Sequence, residues 1–303
     1  MARQYSGTLG KVGNCQIGVS ISAVTDFASC PLNWRLFLPP SWDDREAATP
    51  QDAAAIRSRR ARAVIADEQR HRAKWRLALD MLDELAGWGL APPVAVADAG
   101  YGNNADFRAG IDARGWAYIM GVNGDLTAFP AEAVPEVNPY SGRGRHLLPR
   151  YRTKPVGLRA HVLAAGRDSA VELTWREGSR GPMSSHFLAL RVRPAGRRPT
   201  GRLAEDGSLP AVWLLAEWPP AAAEPTDYWL SSLPKDIPLA ELVRLAKIRW
   251  LIEHDYRELK TALGLNHFES RTFAGWHRHV TLVTAAQLFL TRLRTDPRAA
   301  APA

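Results

Sequence analysis

The stretch PPVAVADAGYG, residues 92–102, decides the fold class. Val94 to Ala97 is apolar at every position, the pattern of a short strand buried on both faces, and two prolines set it off from what precedes. Asp98 ends the run. A carboxylate at the carboxyl end of such a strand sits where open α/β sheets place ligand-binding groups. A plain turn former would look the same.

The flanks support an α/β reading. Cys15 to Val24 and Trp34 to Leu38 read as adjacent strands, and Gln51 to about Leu85 reads as helical. That helical stretch has a basic run (Arg57, Arg59, Arg60, Arg62), then Trp75, Leu79, Leu82 and Leu85 on one face. After Asp98 a helix is expected over Asp106 to Arg114 and a strand over Trp116 to Val122, completing one α/β layer. From 123 to 235 proline, glycine and arginine increase. The regular pieces there read as β: His161 to Ala165, Val171 to Trp175, Phe187 to Val192 and Val212 to Trp218. The expected organisation is a core over 1–122, a β-rich insertion over 123–235, further helices of the core over 236–295, and a frayed tail over 296–303.

The chain has 303 residues, 46% hydrophobic and 23% charged, with a formal charge of +8. The arginine-rich excess points to a polyanionic partner such as DNA, although a solvated basic face gives the same count. Two cysteines, Cys15 and Cys30, in apolar surroundings argue against a disulfide scaffold and fit a reducing cytoplasm. Apolar runs are too short for a membrane span, and the first residues lack a secretory segment. His277 and His279, two apart on a helix, point to different sides and do not make a zinc site. No Gly-x-Ser-x-Gly elbow is present.

Pro238 to Leu263 reads as one long helix. Ile248, Ile252, Leu259 and Leu263 form its apolar stripe, and Arg249, Glu253 and Lys260 run alongside, a carboxylate between two cations at the margin of a buried surface. Taken alone, this is also how a charged helix face pairs its own residues.

Two motifs resemble the DDE transposases of bacterial insertion sequences. The branch is the seven-hundred-and-one group, which has a tyrosine, arginine, glutamate, lysine signature. Residues 97–102, ADAGYG, are similar to its second-aspartate motif, an Asp followed three residues later by Tyr. In RWLIEHDYRELKTALGLNHFESR, residues 249–271, Arg249, Glu253 and Lys260 occupy the signature positions. The signature tyrosine falls on Ala246, a departure from the pattern.

The resemblance implies a ribonuclease H-like mixed sheet flanked by helices, with a β-rich insertion before the last catalytic helix. It implies Asp98 and Glu253 as catalytic acids holding Mg²⁺ or Mn²⁺ for two-metal phosphoryl transfer at transposon DNA ends. Arg249, Lys260 and Tyr101 would contact DNA, and Trp175 and Arg176 would meet the transposon end. It further implies that the first catalytic aspartate precedes the equivalent of Ala2 to Gly7, so that the chain as written is truncated, with an incomplete site. Asp26, Asp43 and Asp44 are weak stand-ins. The competing reading is a non-catalytic DNA-binding remnant or inhibitor of a full-length transposase, with a homodimer formed through an exposed sheet edge.

Overall fold

A computed structural model describes residues 2–6, 10–136, 142, 150–178, 181–196, 203 and 207–296. The chain divides into two compact units, Met1–Ala91 with Trp250–Ala303, and Pro92–Arg249. No helix among the described residues is long and apolar enough to cross a membrane. The architecture is the mixed α/β arrangement of sheet and flanking helices that the sequence implies, consistent with a ribonuclease H-like fold.

The first unit begins with two antiparallel hairpins. Strand β1 (Ala2–Ser6) pairs with β2 (Lys11–Cys15), and β3 (Gly18–Val24) pairs with β4 (Ser29–Leu36). The expected single strand over Cys15 to Val24 is therefore two, interrupted at Gln16 and Ile17. Among the described residues β3 and β4 form their own two-stranded sheet, not one layer with the strands that follow. A two-stranded antiparallel hairpin pairs only the backbone groups that face across it and leaves those on its two outer edges to other partners.

The helical stretch after Gln51 is also two elements, α1 (Pro50–Arg62) and α2 (Lys74–Gly87). Thr49 caps α1 by accepting the Asp52 amide. The break follows from Val64, whose φ of 51° lies in the left-handed region that a β-branched residue rarely adopts. The buried Arg60 guanidinium stabilises the connection by donating to the carbonyls of Trp42, Ala66 and Gln69 at 2.9, 2.9 and 2.7 Å. Two arginines of the basic run thus serve the chain's own backbone, since Arg59 also donates to the Ser41 carbonyl at 2.9 Å.

The second unit is built on a sheet of eight strands. Its first elements are β5 (Val94–Ala97), the short α3 (Ala99–Gly102), α4 (Ala105–Asp112), β6 (Ala117–Val122) and β7 (Thr127–Pro130). Then come β8 (Val156–Gly157), α5 (Leu158–Ala165), β9 (Val171–Gly178), β10 (Gly181–Pro194), β11 (Val212–Glu217), β12 (Asp227–Ser231) and α6 (Leu239–Lys247). The order is β5-β6-β12-β11-β10-β7-β8, with β9 also on β10. Among the described residues β5 and β6 are the parallel pair of this sheet, and the strands of the proline- and arginine-rich stretch extend it by antiparallel pairing.

Two expectations are corrected here. Strand β5 ends that sheet and is half-buried, not buried on both faces. Residues 161–165 are helical, not β: Leu158 and Val162, four apart, are both fully buried along one face of α5, and Gly166 at φ 80° ends it. In this unit α6 covers one sheet face, where Leu242, Val243 and Ala246 pack with Ile119, Phe187 and Leu215.

The chain returns to the first unit with α7 (Trp250–Thr261) and α8 (Phe273–Thr295). The long helix expected over Pro238 to Leu263 is thus interrupted at Ile248 and Arg249. The apolar side chains on either side serve different cores. Leu242, Val243 and Ala246 join the sheet of the second unit, and Leu259 joins Trp34, Trp276, Val280 and Val283 of the first.

In the first unit Asp43 is buried and accepts the amides of Arg45 and His71 at 3.1 and 3.0 Å and the Arg70 guanidinium at 3.3 Å. Arg70 also reaches Asp44 at 2.5 Å, so two of the three stand-in acids are held by a cation. Burial pushes the Asp43 carboxyl up, but the two amides and Arg70 outweigh it and hold it below its ordinary value. A carboxyl lowered by folding stabilises above its unfolded pKa, and that stability is lost as pH falls through the folded value. Asp43→Asn is expected to lower Tm by several degrees at pH 7 and by progressively less below about pH 4. Paired melting curves check this, and an equal loss at both ends of the range would contradict it.

Candidate active site

Asp98 follows directly on β5, at the carboxyl end of the parallel β5–β6 pair. It caps α3: its Oδ1 accepts the Gly100 amide at 2.9 Å, and its backbone carbonyl accepts the amides of Gly102 at 2.7 Å and Tyr101 at 3.1 Å. The carboxylate is 47% exposed, and its Oδ2 lies 3.7 Å from the Arg249 guanidinium. Both residues belong to the second unit, so two sequence-predicted site residues do meet there.

The turn after Asp98 is set by contact with β6. A Cβ at Gly102 would lie 2.0 Å from the Gly121 carbonyl oxygen, so no side chain fits. Asn103 accepts the Asn123 amide at 2.8 Å through its side chain. Tyr101 places its ring 5.4 Å from Phe107 and is half-buried, so part of its surface is committed to packing.

Trp175 lies in β9, half-buried against the sheet core. The Lys247 ammonium sits 5.2 Å from its ring centroid, 5.7 Å from that of Phe187 and 5.3 Å from that of Trp229, and is paired with Glu217. The contacts seen at Trp175 are thus those of core packing and an internal cation. Arg176, next on the strand, is half-buried. Arg143, Arg145 and Arg180 lie outside the described residues. Arg152 is paired with Glu136, and Arg159 with Glu224 at 3.1 Å.

Glu253 and Lys260 belong to the first unit. Glu253 is exposed in the first turn of α7. Lys260 is half-buried in the last turn with its ammonium 5.7 Å from the Tyr256 ring, and Tyr256 in turn shares a hydrogen bond of 2.5 Å with Ser20. Ala246, at the position of the signature tyrosine, is a buried residue of α6 in the second unit's core.

The sequence reading missed two polar groups. In α7, His254, Asp255 and Glu258 bring ligand-type atoms within 4.8 Å of one another. Their present partners account for two of them. Ser29 donates to the buried Asp255, and Arg294 holds Glu258, with one contact at 2.9 Å. Burial pushes the Asp255 carboxyl up, whereas the Arg294 hydrogen bond lowers that of Glu258.

The second group is in α4, where Arg108 is 1% exposed, beside the fully buried Tyr118 and with Asp112 one turn on. The available signal was an arginine between Phe107 and Ile111 on the side of the helix that turns inward. Burial pushes the Asp112 carboxyl up to about 6 against the pull of Arg108, and raises the Tyr118 hydroxyl well above its ordinary value.

Residues 1–182 match the family model described as DDE superfamily endonuclease, more than half of the chain. The match takes in Asp98 and Tyr101 and ends before Arg249, Glu253 and Lys260. No curated protein matches the chain.

Two outcomes follow from this geometry. Gly102→Ala drives a methyl into the Gly121 carbonyl and is expected to cost about 2 kcal/mol or more in chemical denaturation, whereas Gly100→Ala, whose Cβ would meet only the Asp98 carboxylate at 3.0 Å, costs less. Asp112 has a folded pKa above its unfolded value, so its contribution to stability declines as pH rises from about 4 to about 6. Asp112→Asn removes that titration: the Tm of the variant should gain on wild type between pH 4 and pH 7, and parallel profiles would rule the shift out.

Proposed function

The chain belongs to the DDE superfamily endonucleases, and from that premise we propose that it is a transposase of the insertion-sequence type, acting on the phosphodiesters of transposon DNA ends. The observation that carries this is the position of Asp98. It lies within the matched region, at the carboxyl end of a parallel strand, half-exposed, with one oxygen engaged by a single amide.

The residues suit a divalent cation. Asp98 and Glu253 offer hard carboxylate oxygens, the donor type that Mg²⁺ and Mn²⁺ take, and each is at least partly open to solvent. We assign these two as cation ligands, Asp98 from its motif and strand-end placement and Glu253 from its place in the arginine, glutamate, lysine signature. Bound divalent cations supply activation of a water or 3′-hydroxyl and stabilisation of the leaving oxygen in an in-line displacement.

The chain's own groups would do the rest. Arg249, already beside the Asp98 carboxylate, offers a planar fork to a phosphate, and Lys260 a point charge. Tyr101 keeps part of its ring for DNA. Trp175 and Arg176 are assigned to the transposon end, and there Trp175 would act chiefly by shaping the strand on which Arg176 sits. The net charge of +8 favours association with DNA and makes it salt-sensitive. Pairing of two copies belongs to the same proposal.

The test is nicking of duplex DNA carrying the element ends, in Mg²⁺ and in Mn²⁺. Asp98→Asn and Glu253→Gln should each reduce the rate by roughly 100-fold or more while leaving Tm within a few degrees. Cleavage that survives both substitutions would sink the assignment. DNA bound but left uncut in either ion would favour the reading as a non-catalytic DNA-binding protein.

A further inference from the structure

Burying a guanidinium costs several kcal/mol unless its charge and donors are met, so an arginine 1% exposed needs a reason. Arg108 donates to the backbone carbonyl of Gly102, the last residue of α3. The Gly102 amide in turn donates to the Asp98 carbonyl at 2.7 Å, and the Gly100 amide holds the Asp98 carboxylate at 2.9 Å. The chain from 98 to 102 is therefore tied at both ends, to its own aspartate and to a buried cation. Asn104 caps α4 by accepting the Phe107 amide at 3.0 Å, which fixes the helix that carries Arg108 relative to the same turn.

A charge-assisted bond to a carbonyl is about twice as strong as a neutral one, and in a dry surrounding it resists exchange with water. Apolar residues would fill the space at 108 at lower cost, as Phe107 and Ile111 do on either side. What they would lack is a donor for the Gly102 carbonyl, and with it the restraint on the direction of the Asp98 carboxylate. Asp112, one turn on and raised by the same burial, acts as a counter-charge to Arg108.

We propose that Arg108 is a positioning residue for Asp98, holding the α3 turn against β6 so that the carboxylate faces the cation and DNA with a fixed orientation. This rests on Asp98 being a cation ligand, and the two claims fail separately.

The experiment compares Arg108→Met, Arg108→Lys and Asp98→Asn in the full chain, each checked by thermal melting. Mn²⁺ affinity is read by electron paramagnetic resonance, and amide exchange of residues 99–102 by NMR. Arg108→Met should speed exchange of the Gly100 and Gly102 amides by about 10-fold or more and weaken Mn²⁺ binding by about 10-fold. Arg108→Lys, which keeps a charge and a donor, should recover most of both. If the methionine variant does not fold, the lysine variant carries the comparison with a smaller change in the same direction. Mn²⁺ binding that is lost in Asp98→Asn but unchanged in the Arg108 variants, with exchange at 99–102 also unchanged, overturns the role of Arg108. Mn²⁺ binding unaffected by Asp98→Asn removes the ligand assignment instead, and the exchange data then decide alone whether Arg108 orders the turn.

Discussion

The geometry around Asp98 depends on the approach of Gly102 to the Gly121 carbonyl, where even a methyl group has no room. That contact sets how far the chain travels after β5 before it turns, and so where Asp98 stands relative to β6. The capping of α3 by Asp98, the donation from Arg108 to Gly102 and the bond between Asn103 and Asn123 all preserve a geometry that the two glycines permit. A sheet edge alone would leave the acid on a loose loop; here its backbone carbonyl and one carboxylate oxygen are occupied, and the other oxygen faces Arg249.

Much of this was legible in the sequence, for identifiable reasons. The apolar run 94–97 ending in Asp98 reads as a strand with a terminal acid, and it is one. The strands near 171, 187 and 212 are where β-branched and aromatic residues cluster. The failures share a cause. Periodicity reports which residues want burial without saying in which core, so Pro238 to Leu263 reads as one helix although its Ala246 and Leu259 serve different hydrophobic clusters. Leu158 and Val162 carry a helical offset, but a single pair four apart is too short a pattern to separate a two-turn helix from a strand. The burial of Arg108 has a sequence signal in its place between Phe107 and Ile111, but its partner has none, because that partner is a backbone carbonyl six residues away.

Of the residues singled out from motifs, Asp98 and Arg249 meet within one unit. Glu253 is an exposed acid opening α7, and Lys260 lies against Tyr256, both in the other unit. Ala246 is a small side chain packed in the cluster of Ile119 and Leu215, where a bulkier one would have to displace its neighbours.

Lys247 has a consequence beyond its own pairing. Its ammonium meets Trp175 on β9, Phe187 on β10, Glu217 on β11 and Trp229 on β12, four neighbouring strands presenting one row of side chains on the same face. A slip of any one of them by a single residue would turn its member of the row to the opposite face and leave the cation with a gap in its enclosure. One lysine from a helix thus proofreads the alignment of half the sheet, rejecting mispaired strands that hydrogen bonding by itself would tolerate.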